Sequence, residues 1–264
     1  VLIQDDFTAA NDSNDWKTFN GACLTAGDGT GKIPKCVGLP YYAGQTLNGG
    51  LTGTLPDTAG NGALRFTNGN NNGSTSFANG GNQAGGIISN FTFPTGAGLS
   101  VIFKTVTYRG NSGGAGGDGA DGIGFFLMDG AVTPYDTGAF GGSLGYTCSN
   151  SNNDPTTRAD GSVRGYDGLA GGYLGLGIDE YGNFLNQGDN TATGFGYQPG
   201  RIGLRGAGNI SWGWLNANYP LWYPSSLTNA QRATAVQKTC STGKAYNYSN
   251  PLAPVATTTS LLDY

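Results

Sequence analysis

The sequence predicts an all-β sandwich, a single domain over residues 1–264 with one short late helix. Three observations lead there. Composition comes first: 49 of 264 residues are glycine, charged residues make up 11%, and there is one Met. Abundant Asn, Ser and Thr accompany the glycine, a mixture that suits short strands joined by turns and disfavours helices. The second observation is period-two alternation of apolar residues, recurring along the chain. The third is the long Gly/Asn-rich tracts between those segments, such as "TNGNNNGSTSFANGGNQ" (67–83) and "GNSGGAGGDGADG" (110–122). Loops of that length in a compact domain tend to be functional or mobile.

The predicted strands run in order from "ALRFT" (63–67) and "GGIISNFTF" (85–93) to "LSVIFKTVTYR" (99–109). In the last of these Leu99, Val101 and Phe103 share one face and Lys104 sits opposite. "DGIGFFLM" (121–128) follows, with Ile123, Phe125 and Leu127 alternating with Gly124, Phe126 and Met128. Both of its faces are largely apolar, which predicts a central strand covered on two sides. "GGYLGLGID" (171–179) and "GRIGLRG" (200–206) complete the set. The helix is "SLTNAQRATAVQKTC" (226–240), with Thr228 or Asn229 as its cap. Trp212, Trp214, Tyr219, Trp222 and Tyr223 form an aromatic-rich stretch, expected to pack under a long loop rather than to make a second ligand platform. "GDGTGK" (27–32) lacks the spacing and the strand–helix frame of a phosphate loop and reads as a turn.

Charge and cysteine content narrow the possible partners. The net charge is −4 with no basic run, which argues against nucleic acid and anionic membrane. No apolar stretch approaches the ~20 residues of a membrane span, so direct membrane insertion is not expected. Cys23, Cys36, Cys148 and Cys240 show no paired-ligand spacing and His is absent, which disfavours the usual zinc sites. Four cysteines in such a chain fit two disulfides formed outside the cytoplasm. Three pairings exist on paper; joining Cys23 to Cys36 closes a short polar loop, and Cys148 to Cys240 then ties the late region to the middle. The chain begins at Val1 and ends "TTTSLLDY", which suggests a processed piece of a larger surface protein.

One stretch concentrates oxygen. In "LGIDEYGN" (176–183) an apolar strand ends at Asp179, then Glu180, Tyr181 and Asn183 follow, with Asp189 a little further on. Calcium takes six to eight oxygens from carboxylates, amides, carbonyls and water at about 2.3–2.6 Å. Side-chain alternation points Asp179, Tyr181 and Asn183 the same way, with the Tyr181 carbonyl also on offer. The spacing is not that of a helix–loop–helix calcium site. Taken alone, the stretch also fits a polar hairpin loop with nothing bound.

Four motifs together resemble the legume-type lectins, whose fold is the concanavalin A-like jelly-roll of two antiparallel sheets. "ADGIGFFLMD" (120–129) is similar to that family's "ADG-x-AFF" strand, and "FGGSLGY" (140–146) to its "GGYLG" loop. "LGIDEYGN" resembles its "E-hydrophobic-D-x-[FY]-x-N" metal strand, and "GRIGLRG" its following "HIGI" strand. They occur in the family's order between residues 118 and 206. The tail "NYPLWYPSSLTNAQRATAVQKTCSTGKAYNYSNP" looks like the lectin-like region of some bacterial type IV pilus tip adhesins.

The resemblance implies one calcium ion held by Asp179, the Tyr181 carbonyl, Asn183 and Asp189, the last displaced by one residue from the usual spacing. It implies a sugar site in which Asp121, after a cis peptide at Ala120, accepts from hydroxyls. Gly142 offers its N–H, Asn183 its amide and Tyr181 its ring. Where the family has a Glu two residues before the first Asp, this chain has Gly177, and the family's metal-binding His is missing. No manganese site of the legume design is therefore expected. The function implied is calcium-dependent, non-catalytic binding of glycans or polysaccharide, in adhesion to host or microbial surfaces. Two other readings compete. A glycosidase needs two carboxyls about 5–5.5 Å apart across the bond, whereas Asp179 and Glu180 are adjacent and point to opposite sides of a strand. A structural or protein-binding module would keep the calcium loop without sugar recognition.

Overall fold

The structure is a computed structural model that describes residues 2–36, 39–41, 45–47, 57–67, 84–107, 120–134, 136–149, 166–185, 198–242 and 244–246. It consists mostly of strands in small antiparallel sheets, with two α-helices among the described residues, and is compatible with an all-β fold. Two compact units divide the chain, Val1–Thr107 and Tyr108–Tyr264.

In the first unit β1 (Trp16–Phe19) pairs with β6 (Gly86–Ser89), from Trp16 opposite Ser89 to Phe19 opposite Gly86. Short ladders join β2 (Cys23–Leu24) to β5 (Leu64–Arg65) and β3 (Leu39–Tyr41) to β4 (Gln45–Leu47). Phe19, Ala22, Leu24 and Ile33 are buried around the Cys23–Cys36 disulfide, and the Leu24 carbonyl accepts from the Cys36 N–H at 3.1 Å. In "GDGTGK" the Asp28 carboxylate accepts from the Thr30 N–H at 2.8 Å, which makes this segment the predicted turn.

The strand predicted at 99–109 does not form over its described part. Residues 99–107 join no ladder, and Ile102 and Val106 are 93% and 79% exposed. Alternation supplies a two-faced strand, but a ladder also needs a neighbour's donors and acceptors. The strand predicted at 85–93 stops at Ser89, whose hydroxyl accepts from the Phe91 N–H at 3.0 Å and turns the chain away.

The second unit carries β7 (Gly122–Met128), β8 (Gly172–Asp179) and β9 (Arg201–Arg205), antiparallel in the order β7–β8–β9. Register sets Phe125 opposite Leu176 and Leu176 opposite Leu204. β7 is not central among the described residues. It pairs with β8 alone, and all its residues are half-buried. Its two apolar faces have separate causes: Phe126 and Met128 pack against the Tyr146–Leu169–Phe184 cluster, while Ile123, Phe125 and Leu127 belong to the opposite face.

Helix α1 (Trp212–Asn218) and helix α2 (Asn229–Thr242) follow. Ser211 caps α1 by accepting from the Trp214 N–H. Thr228 caps α2 in a reciprocal box, its N–H donating to Gln231 Oε1 at 2.8 Å while its hydroxyl accepts from the Gln231 N–H at 3.4 Å. The aromatic stretch packs as core, with Trp212 and Tyr223 buried and Trp214, Tyr219 and Trp222 against them. The Cys148–Cys240 disulfide lies in the same core. No described helix is long and apolar enough to cross a membrane, and two disulfides are consistent with an extracellular setting.

Candidate functional site

Glycines recur beside Phe126 on one face of the β7–β8–β9 sheet, and they let two loops lie directly on its backbone. A Cβ on Gly175 would fall on the Tyr146 ring, and one on Gly177 on the Phe184 ring. A Cβ on Gly203 would meet the Leu185 side chain at 2.9 Å, and one on Gly124 the Leu144 carbonyl at 2.9 Å. The space beside Gly177 is thus taken by an aromatic ring.

The first covering loop contains a 3-10 turn at Gly141–Ser143, which Leu144 closes in the left-handed region at φ 49°. The Ser143 hydroxyl donates to the Cys148 carbonyl at 3.0 Å, so the turn is anchored beside the Cys148–Cys240 disulfide. The Tyr146 hydroxyl donates to the Gly206 carbonyl at 2.6 Å and accepts from the Gly208 N–H at 3.1 Å.

The second loop leaves β8 at Asp179 and is folded around that residue's own carboxylate. Oδ1 accepts from the Gly182 N–H at 2.8 Å and Oδ2 from the Phe184 N–H at 2.6 Å. Asp179 is buried, and burial pushes its carboxyl above the usual range against the opposing pull of these N–H donors. Gly182 takes φ +101°, the left-handed conformation that favours glycine, and a Cβ there would strike Pro199.

The structure brings the predicted residues together at one end of the sheet. The peptide bond between Ala120 and Asp121 is cis. The Asp121 carbonyl accepts from the Tyr181 N–H at 3.1 Å, which joins the start of β7 to the loop after β8. A Cβ on Gly142 would fall on the amide of Asn183, so the 3-10 turn meets the same loop. Asp121 and Tyr181 are half-buried, whereas Gly142 and Asn183 are buried. Asp189 lies outside the described residues.

Asn183 is the informative member. It is 5% exposed, and its Oδ1 is buried with no hydrogen-bond partner. A buried amide oxygen left without a donor costs about 1–3 kcal/mol, so the position calls for an electrophilic partner. A hard cation is one such partner, and an amide oxygen is among the ligands it takes. Among the described residues no three His, Cys, Asp or Glu side chains group as a metal site. A calcium shell built from one carboxylate, one amide and one backbone carbonyl, with Asp189 outside, would not contain such a group.

Sequence reasoning missed two residues that shape this loop, Phe184 and Arg205. Phe184 is fully buried, and Arg205, 3% exposed, donates from Nη1 to the Phe184 carbonyl at 2.7 Å. The signal was present in "RIGLR" (201–205): alternation puts Arg205 on the glycine face with Gly203. Comparison with family models, with curated proteins and with solved structures finds no match.

Proposed function

We propose that this chain is a calcium-dependent, non-catalytic carbohydrate-binding domain of the legume-lectin-like kind, acting in adhesion outside the cytoplasm. The observation that carries the reading is the buried, unpartnered Oδ1 of Asn183, in the loop that Asp179 organises. Calcium would be held by Asp179, the Tyr181 carbonyl, Asn183 and Asp189. Asp179 is able to serve in both roles. A carboxylate has about four lone-pair sites, and the loop's hydrogen bonds with Gly182 and Phe184 take one on each oxygen. When bound, the ion would fix the Asn183 rotamer before a ligand arrives and so lower the entropic cost of recognition.

Sugar recognition would fall to Asp121 as acceptor, the Gly142 N–H and Asn183 amide as donors, and the Tyr181 ring as a flat apolar face. We also propose that the β7–β8–β9 sheet is one layer of a jelly-roll sandwich, whose second sheet covers Ile123, Phe125, Leu176, Ile178, Ile202 and Leu204. A shallow site of few contacts would bind one sugar at around millimolar, about −4 kcal/mol, and useful adhesion would come from several copies. The carboxylates support a non-catalytic site: Asp179 is committed to its own loop, and Glu180 is its immediate neighbour.

The burial of Gly142 and Asn183 favours one alternative, a protein-binding module that uses the calcium loop only as a brace. A glycan array run with calcium and with chelator separates the two, together with calorimetry. The lectin reading predicts calcium-dependent glycan binding that Asp121→Ala abolishes with calcium affinity retained, while Asn183→Ala loses both. Calcium binding with no glycan retained would transfer the site to the protein-binding reading. Cleavage of an oligosaccharide, stopped by Asp179→Asn or Glu180→Gln, would make it a glycosidase.

A further inference from the structure

We infer that Arg205 is a positioning residue for the calcium loop, holding Asn183 in its ligating place before any ion arrives. The inference rests on the calcium reading and adds to it a residue outside the ion's proposed ligands. Arg205 sits on the glycine face of β9, opposite Gly175, and is 3% exposed. Its Nη1 donates to the Phe184 carbonyl at 2.7 Å, and its guanidinium carbon stands 5.6 Å from the centroid of the Phe184 ring. One cation therefore grips the backbone and the ring of a single residue.

Phe184 is the hinge of the arrangement. Its N–H is bound by Asp179 Oδ2 at 2.6 Å, its carbonyl by Arg205, and its ring lies against Gly177. Asn183 directly precedes it, so a fixed Phe184 peptide fixes the stretch of backbone from which the Asn183 side chain is presented. That side chain is the one whose Oδ1 is buried without a partner. An oxygen in such a position would turn to a donor if the backbone let it, and the grip on Phe184 holds the backbone in place. Arginine suits the task, since its fork geometry is fixed and it cannot give up its proton.

The sign of the effect separates positioning from charge. A positive group near a cation site repels the ion, so charge alone would make removal of an arginine tighten calcium binding. Loss of positioning would weaken it. Arg201, exposed at the other end of the same strand and opposite Asp179, provides the comparison.

The experiment is calcium calorimetry on the full chain with its disulfides intact, for wild type, Arg205→Met, Arg205→Lys and Arg201→Met. Amide exchange at Gly182 and Phe184 of the calcium-free wild type accompanies it. Arg205→Met should weaken calcium binding by about tenfold, in line with loss of a charged hydrogen bond. Arg205→Lys, which keeps the charge and one donor, should recover part of that loss, and Arg201→Met should leave affinity unchanged or slightly tighter. The Phe184 amide should be protected without calcium. If Arg205→Met does not fold, Arg205→Lys and the wild-type exchange decide the matter. Unchanged or tighter binding in the Arg205 variants, or a freely exchanging Phe184 amide, would overturn the positioning role and leave the calcium reading standing. A wild type that binds no calcium would overturn both.

Discussion

The two faces of the β7–β8–β9 sheet are made by different means. On one face Gly124, Gly175, Gly177 and Gly203 leave gaps beside side chains such as Phe126, and Tyr146, Phe184 and Leu185 lie against the backbone there. On the other, Ile123, Phe125, Leu127, Leu174, Leu176, Ile178, Ile202 and Leu204 make an apolar surface by ordinary alternation. The apolar face is a general-purpose surface that any apolar layer can cover. The glycine face accepts only what fits against bare backbone, and what fits is the pair of loops that carry Gly142 and Asn183. Specificity and stability therefore have separate sources: stability can come from the apolar side, while the geometry of the candidate site is set by the glycine positions on the other.

Three substitutions break or sharpen that contrast. The largest effect belongs to the centre of the apolar face. In the proposed sandwich Leu176→Asp would bury an uncompensated charge and destabilise by about 3–5 kcal/mol. Chemical denaturation measures it, and wild-type stability would mean that this face is open to water. Next comes Gly177→Val, which must displace the Phe184 ring from the backbone. Overpacking of this kind costs roughly 1–3 kcal/mol, and calcium affinity should fall with it, because Asn183 moves with Phe184. A variant that melts lower yet binds calcium as wild type does would uncouple the glycine face from the site. The smallest is Tyr146→Phe. It removes a hydroxyl bonded to Gly206 and Gly208 and should cost about 1 kcal/mol with calcium affinity unchanged.

Much of this region was legible in the sequence because it follows local rules. Alternation located β7, β8 and β9 to within a residue or so, and Thr228, one of the two caps the sequence offers, stands at the start of α2. The disulfides join Cys23 to Cys36 and Cys148 to Cys240, as the loop-closing pairing anticipates. The meeting of Asp121, Gly142, Tyr181 and Asn183 was anticipated from motif order, which is a resemblance rather than a derivation.

What was not legible depends on partners far away in sequence. Alternation at 99–107 looked like any other strand, but pairing is decided by a neighbour the segment itself does not encode. α1 was hidden because Trp212 and Trp214 are indifferent helix formers, and the helix stands on the Ser211 cap and on core packing. The apolar faces of β7 suggested a central strand, although one face is covered by Tyr146 from outside the sheet. Arg205 stands at the end of β9. Only the glycine spacing on its face, combined with sheet register, reveals that it is buried.

The buried Oδ1 of Asn183 is the proposed calcium ligand on which the reading rests. Thermal melting of wild type and Asn183→Ala, each in calcium and in chelator, tests it most directly. The account predicts that calcium raises the melting temperature of wild type, as ligand linkage requires, and leaves that of Asn183→Ala unmoved. In chelator the two should melt close together, because the lost oxygen had no partner to lose. A wild type that melts identically with and without calcium, or an Asn183→Ala variant that keeps the full calcium shift, would contradict it.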